Sequence, residues 1–537
     1  MRTRSFATLA AVPLLLGTRA PLPAQAPTVV DVLIRNGQVV DGSGAAPRRA
    51  DVGIRGDRIA FIGNASRARV TGTRTIDAAG LVVAPGFIDP HTHTLEDLNS
   101  PQRRQNVNYL MQGVTTVITG NDGGGPADIA ATLDGWERGG IGTNAALLVG
   151  QGTVRRSVLG MSDAKPTPAQ LDSMRALVLR AMRGGALGMS TGLYYAPGSY
   201  ATTDEVIALA RVAAEQGGVY DSHLRDESSY TIGLVGAVTE AIRIAREARI
   251  PVNISHIKAL GADVWGQSDS IIALIKRARS EGLQVTADQY PYKASGSSVG
   301  ASLLPRWAEV GGRDSLAARI ADSSVRRRLV AEMTANLRRR GGAASLLITG
   351  GRDSSVRGKT LAAVATARGI PPIDAALEII RGGDASVASF NMDERDIENF
   401  MRQSFVTTGS DGSGGHPRKY GTFPRKLKEY VYRRKIVTLP FAIRASSALT
   451  AEHFRIPERG TLREGYYADV IAYDPVTLSD RATYEQPELL ATGMRYVFVN
   501  GVPAIDGGKY TGATAGRPLR NRSAQRAPAQ APVPELR

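Results

Sequence analysis

Between residues 85 and 454 short strand-like runs alternate with helical stretches, and no other feature restricts the fold as much. The runs cover residues 115–119, 145–149, 219–223, 252–256, 284–288, 346–349 and 405–411. Helical patterning fills the gaps, as at residues 204–216 and 234–249. In the first of these Thr202 or Thr203 is placed to cap, Asp204 and Glu205 sit in the first turn, and Gly217-Gly218 ends the helix. Strand and helix in strict alternation make a parallel sheet, and eight such units close a (β/α)8 TIM-like barrel. A barrel of this kind carries its chemistry at the carboxyl ends of its strands.

Both ends of the chain have a different texture. Residues 29–40 read as a strand, an Asn36-Gly37 turn and a second strand, and residues 52–62 repeat the pattern around Gly56-Asp57. Residues 466–473 and 496–499, followed by Asn500-Gly501, resemble them. The expected layout is therefore a composite β-sandwich domain from residues 27–84 plus 455–516, around a barrel at 85–454. A basic helical stretch at about 303–340 interrupts the barrel rhythm as an insertion. Arg2, Arg4, the apolar run 6–16 and Ala24-Gln25-Ala26 read as a cleavable signal peptide over residues 1–26, so a periplasmic or secreted location is expected, with no stable membrane insertion after cleavage. The Ala-, Pro-, Gln- and Arg-rich residues 517–537 are expected to be a disordered tail. There is no cysteine, so no disulfide supports an exported fold. The formal net charge is +16, with clusters at Arg326–Arg328, Arg338–Arg340 and Arg433–Lys435. No nucleic-acid-binding module with interleaved aromatics accompanies them, and they read as solvated helix faces.

The chain has only six histidines. His91 and His93 end an apolar stretch interrupted by Pro85-Gly86. Residues i and i+2 on a strand point the same way, so both imidazoles are presented to one point. His223 and His256 each end another apolar run. Asp411 follows residues 405–410, and Asp122 follows residues 117–121 and precedes three glycines. Four histidines and two aspartates thus occupy the ends of five strands, a pattern hard to obtain without a metal centre. Imidazoles suit zinc and similar ions, and one bridging carboxylate allows two of them. Such a centre activates water and polarises a carbonyl. A further carboxylate beside that water, for which Asp411 is suited, can move its proton to a leaving amine. This is chemistry for an amide hydrolase.

In order along the chain stand Pro85-Gly86-Phe87-Ile88-Asp89-Pro90-His91-Thr92-His93, Gly113-Val114-Thr115-Thr116-Val117, Ser190-Thr191-Gly192-Leu193, Ser222-His223-Leu224-Arg225-Asp226-Glu227, Ile254-Ser255-His256-Ile257-Lys258, Gly409-Ser410-Asp411-Gly412 and His416-Pro417-Arg418-Lys419-Tyr420-Gly421-Thr422-Phe423-Pro424-Arg425. With these motifs the chain resembles the N-acyl-D-amino-acid deacylase (D-aminoacylase) family of the amidohydrolase superfamily, over about residues 29–520. The resemblance implies zinc, one or two ions per chain. His223 and His256 would hold the tighter ion, His91 and His93 a second, and Asp411 would be the general base and acid. It further implies that Lys258, Tyr290 and Arg418 meet the substrate carboxylate, with Tyr195 nearby. The expected substrate is a small N-acyl amino acid or short peptide. Two departures stand out: Asp122 occupies the place of the family's zinc-binding cysteine, and Gln151 that of a common histidine. The Asp411–His416 loop is also short. Alternatives carried at this point are a dipeptidase, a hydantoinase- or dihydroorotase-like cyclic-amide hydrolase, and a periplasmic metal-binding protein without catalysis.

Overall fold

The structure is a computed structural model that describes residues 28–521. The expected signal segment at 1–26 and residues 522–537 lie outside the described residues. Eight parallel strands form the centre: Phe87–Thr92, Val114–Thr119, Asn144–Gly150, Gly188–Gly192, Val219–His223, Val252–Ile254, Val285–Gln289 and Val406–Thr408. They pair in chain order. The first and last meet where the Asp411 amide donates to the His91 carbonyl at 2.9 Å and Thr92 bridges Gly412 in parallel. Every residue of these strands is buried, as in a sheet covered on both faces. This is the barrel expected from the alternation. Thr202 caps the helix Thr203–Glu215 by accepting from the Glu205 amide at 3.2 Å.

The fourth strand was not among the expected runs. Its sequence, Gly-Met-Ser-Thr-Gly, carries little apolar signal because space is short there. A Cβ on Gly188 would lie 2.0 Å from the Val219 carbonyl oxygen. Residues 346–349, expected in the barrel, instead supply Leu346–Ile348 to a separate antiparallel sheet with Ala294–Ser298 and Ser386–Phe390. The excursion between the seventh and eighth barrel strands therefore runs over about residues 294–390 rather than 303–340. It is this long because it has its own apolar core, including Leu303, Leu329, Met333, Leu361 and Leu377.

Strands from both chain ends form one nine-stranded sheet. Its join is the antiparallel pairing of Val82–Pro85 with Val470–Tyr473. The Asn36-Gly37 turn is not formed. Thr28–Val39 is one strand with a bulge there, at which Asn36 takes φ 63° and its amide donates to Asp51 at 2.9 Å. An Asx residue with φ > 0 serves a bulge as well as a hairpin. Residues 517–521, expected as the start of the tail, are ordered. Pro518–Leu519 pairs with Ala145–Ala146, and Arg520 contacts Asp134 at 2.6 Å. No described helix is long and apolar enough to cross a membrane.

Lys426 is 2 % exposed, and its ammonium donates to Thr408 Oγ1 at 2.6 Å. Burial pushes its pKa down to about 7. The unfolded chain then holds this proton up to its ordinary range near 10.4 while the native chain has lost it. Stability therefore rises with pH between about 7 and 10, and below 7 the native state carries the full cost. Lys426→Met should stabilise the fold at pH 6 by on the order of 2–4 kcal/mol, seen as a higher melting temperature, with the gain fading towards pH 10. Equal melting curves at pH 6 would contradict this.

Candidate metal centre and active site

The strand ends converge on a cavity of about 1120 Å³. Asp122 lies at its floor. Asp122 Oδ1 is 3.3 Å from His91 Nε2, 3.4 Å from His223 Nδ1 and 3.6 Å from His256 Nε2, and Oδ2 is 3.4 Å from His93 Nε2. One carboxylate oxygen thus faces three imidazoles and the other a fourth. His223 Nδ1 and His256 Nε2 approach to 2.7 Å. His91 Nε2 and Asp122 Oδ1 are buried with no hydrogen-bond partner. Buried polar atoms in a native protein are rarely left unpaired. Acceptors converging in this way, without donors, fit a divalent cation. His91, Asp122, His256 and Asp411 form one group with ligand atoms within 4.8 Å of one another, and His223, Glu227 and His256 another. Exposure differs within the set: His91, His223 and His256 are buried, whereas the His93 side chain is 36 % exposed.

The backbone at these positions is unusual. Asp122, His256 and Asp411 have φ of 56°, 35° and 47°. Left-handed backbone costs a non-glycine residue roughly 1–2 kcal/mol, and such residues gather at functional sites. Each lies just beyond its strand, where a reversal of the chain swings the side chain over the barrel mouth. Beneath them a buried polar layer fixes the ligands. Asp288 accepts from the His256 amide at 3.0 Å and faces His91 Nδ1 at 3.9 Å. Asn253 Nδ2 donates to Asp288 at 2.7 Å and to Asp221 at 2.8 Å, and Asn121 donates to Asp221 at 3.0 Å.

Asp411 stands beside this cluster. Its Oδ1 is 3.0 Å from His93 Nε2, and its Oδ2 is 2.9 Å from Arg418 Nη1. Burial alone would raise the Asp411 carboxyl, but the Arg418 guanidinium, His256 and His93 hold it well below the usual carboxylate range. Arg418 is itself aligned by His416. Burial and the neighbouring Arg418 keep His416 neutral, so that Nε2–H donates to the Ala294 carbonyl at 3.0 Å and Nδ1 accepts from the Arg418 amide at 3.1 Å. Lys258 donates to Glu227 Oε1 at 2.5 Å and lies 2.6 Å from His256 Nδ1. Glu227 Oε1 is also 3.0 Å from that Nδ1. Burial raises Glu227, but Lys258 and His256 outweigh it and keep the carboxylate charged. A carboxylate on the second nitrogen of a ligating histidine sets its tautomer and orientation.

The structure brings all ten sequence-derived residues together: His93, Asp122, Tyr195, His223, His256, Lys258, Tyr290, Asp411 and Arg418 line the cavity, with His91 against Asp122 beneath them. Gln151 lies outside it, donating to Glu205 at 3.2 Å. Glu227, four residues after His223, joins them in the cavity without a role read from its sequence motif. Asp288 and Asp221 gave no signal beyond lying in strands. Arg340, expected on a solvated helix face, is instead 2 % exposed and lines the cavity. The segment 484–489, between two strands of the composite sheet, also lines the cavity.

Comparison with known proteins agrees with this architecture. The Amidohydrolase family model matches residues 74–505. A D-aminoacylase of Alcaligenes xylosoxydans xylosoxydans is 36% identical over 522 residues, spanning 92% of this chain and 98% of that protein. A solved D-aminoacylase described with a binuclear metal centre superposes with a TM-score of 0.78 at 34% identity, covering 91% of this chain and 100% of that one. An N-acyl-D-glutamate deacylase from Bordetella bronchiseptica, solved with zinc and a phosphonate that mimics the tetrahedral intermediate, gives 0.77 at 32% identity over 91% and 99%. The chain belongs to the amidohydrolase family, on its D-aminoacylase branch.

Proposed function

We propose that the protein is a zinc-dependent N-acyl-D-amino-acid deacylase, which hydrolyses the amide bond to give a carboxylate and a free D-amino acid. The observation that carries this reading is the arrangement of Asp122 among four imidazoles with Asp411 at 3.0 Å from His93, inside a cavity that also holds Lys258, Tyr290 and Arg418. His91, His93, Asp122, His223 and His256 would hold one or two zinc ions. Zinc bound there supplies an activated water and polarises the amide carbonyl.

The chain's own groups do the rest. Asp411, charged in the free protein, takes the proton of the attacking water and passes it to the departing nitrogen as the C–N bond breaks. Arg418 offers a guanidinium fork to the substrate carboxylate, and the unpartnered buried Tyr290 hydroxyl lies beside it, with the Arg418 carbon 4.6 Å from the Tyr290 ring. Lys258 adds a second positive charge near Tyr290, its ammonium 5.7 Å from that ring. Tyr195 packs on His223 with ring centres 4.7 Å apart and shapes the wall beside it.

The test is release of free amino acid by zinc-loaded protein from paired N-acetyl-D and N-acetyl-L substrates with acidic, apolar and basic side chains. Turnover of the D series at least about a hundredfold above the L series is expected, since a fixed carboxylate clamp beside a fixed nucleophile discriminates by transition-state geometry. Equal turnover of both series would remove the stereochemical part. Turnover of dipeptides or cyclic amides alone would replace the reading. The basic start, apolar run and Ala24-Gln25-Ala26 of residues 1–26 support an exported, periplasmic or secreted enzyme, and a mature amino terminus at residue 27, read by mass spectrometry of the cell envelope fraction, is the expected result.

A further inference from the structure

Arg340 ends the inserted helical stretch and enters the cavity wall with almost no exposure. Its Nη2 donates to the Tyr194 hydroxyl at 3.3 Å, while Nε and Nη1 are buried without a partner. Nearby guanidinia are satisfied. Arg306 bonds Glu309 and the Ala301 carbonyl, both at 2.6 Å, and Arg339 donates to Asn336 at 2.9 Å and Ser229 at 3.3 Å. The Tyr230 hydroxyl in the same corner is buried and unpartnered too, with Arg340 5.9 Å from its ring and Tyr194 5.5 Å from it. The other cavity cations face anions already: Lys258 has Glu227, and Arg418, whose Nε also lacks a hydrogen-bond partner, has Asp411 at 2.9 Å, whereas Arg340 faces none. A buried guanidinium with free donors costs several kcal/mol unless an anion meets it. The donors left over suit a carboxylate: Nε–H or Nη1–H together with the second Nη2 hydrogen makes a planar fork, and a phenolic O–H lies behind it. The corner is also one tyrosine away from the metal cluster, since the Tyr194 ring centre is 6.0 Å from that of His223.

We propose that Arg340 and Tyr194 in the cavity wall, backed by Tyr230, form a second anion subsite, and that the preferred substrates carry a carboxylate beyond the one next to the scissile amide. This rests on the deacylase reading and specifies its substrate class. The second carboxylate comes either from the amino-acid side chain or from the acyl group. Two substrate pairs separate these sources: N-acetyl-D-glutamate against N-acetyl-D-glutamine, and N-succinyl-D-leucine against N-butyryl-D-leucine.

The zinc-loaded full chain should favour the acidic member of one pair by about a hundredfold in kcat/KM, because a site built for a polar group leaves its own buried donors unpaired with a neutral analogue. Arg340→Met should erase that ratio and leave the neutral member within about threefold of its original rate. Arg340→Lys, which keeps the charge but not the fork, should retain part of it. The ratio within a pair is unaffected by a general loss of folded protein, so it reports the subsite alone. Preference for the neutral member in both pairs, or an acidic preference that survives Arg340→Met, overturns the proposal. Absence of turnover with all four compounds would count against the deacylase reading by itself. Titration calorimetry of the same four compounds then reads the subsite, where one dianion must bind about tenfold or more tighter and lose that advantage in Arg340→Met; equal binding would overturn it.

Discussion

Asp411→Asn is expected to lower kcat by about three orders of magnitude while the metal stays bound. Asparagine keeps the shape and removes both the charge and the proton-accepting oxygen. In the native site one oxygen of Asp411 faces His93 and the other Arg418. The substitution therefore has a second consequence. It leaves the Arg418 guanidinium, 1 % exposed, with no anion in the free enzyme. Removing one partner of a buried ion pair costs roughly 3–5 kcal/mol of stability, so a lower melting temperature should accompany the lost turnover, and binding of the substrate carboxylate should recover part of it. Rate, metal content and melting temperature are to be measured on one preparation. Hydrolysis near the native rate with metal present would remove Asp411 from the mechanism.

Asp122→Ala should weaken zinc affinity by at least about a hundredfold, with activity falling in proportion at limiting metal. Among the described residues no other carboxylate is paired with all four imidazoles. Without its carboxylate no anion joins the two histidine pairs, and only Asp411 still reaches His93 and His91, at 3.0 and 3.7 Å. Asp122→Cys is the informative partner. A thiolate binds zinc more tightly but supplies one soft atom where the carboxylate supplies two oxygens. Zinc content should persist in Asp122→Cys and fall towards a single ion per chain. The φ of 56° also favours the native residue, since aspartate visits the left-handed region more readily than most side chains. Metal titration of the three proteins by competition with a chromogenic chelator reads both effects. Native-like affinity in Asp122→Ala would show that the histidines alone suffice.

The parts of this arrangement legible in the sequence share one property. His91, His223, His256 and Asp411 each follow an apolar run, so local pattern and barrel geometry point to the same place. Where local pattern and packing diverge, the reading failed. Gly188–Gly192 had to be small rather than apolar, because a neighbouring backbone leaves no room for a side chain. Leu346–Ile348 has the composition of a barrel strand but pairs in another sheet, and nothing local distinguishes those partners. Asn36-Gly37 suits a bulge as well as a turn. Arg340 is the clearest case. It closes a run of three arginines at a helix end, identical in type to Arg338 and Arg339, and only the tertiary fold decides that the third turns inward. Glu227 was hidden in a different way, since its importance comes from Lys258 and His256, which are remote in sequence and adjacent in space.

The seam where the first barrel strand meets the last has a bearing on how the molecule is made. His91 and Asp411, joined there backbone to backbone at 2.9 Å, belong to segments synthesised far apart. The edge next to that seam, Val82–Pro85, waits longer still for Val470–Tyr473. Contacts this remote in sequence cannot form until nearly the whole chain has left the ribosome, and the entropy of closing so long a loop is met only by the packing it completes. A growing chain thus carries four histidines and no working centre. The same hydrogen bond that shuts the barrel places Asp411 beside His91 and His93, so the proposed centre is complete only once the barrel has closed.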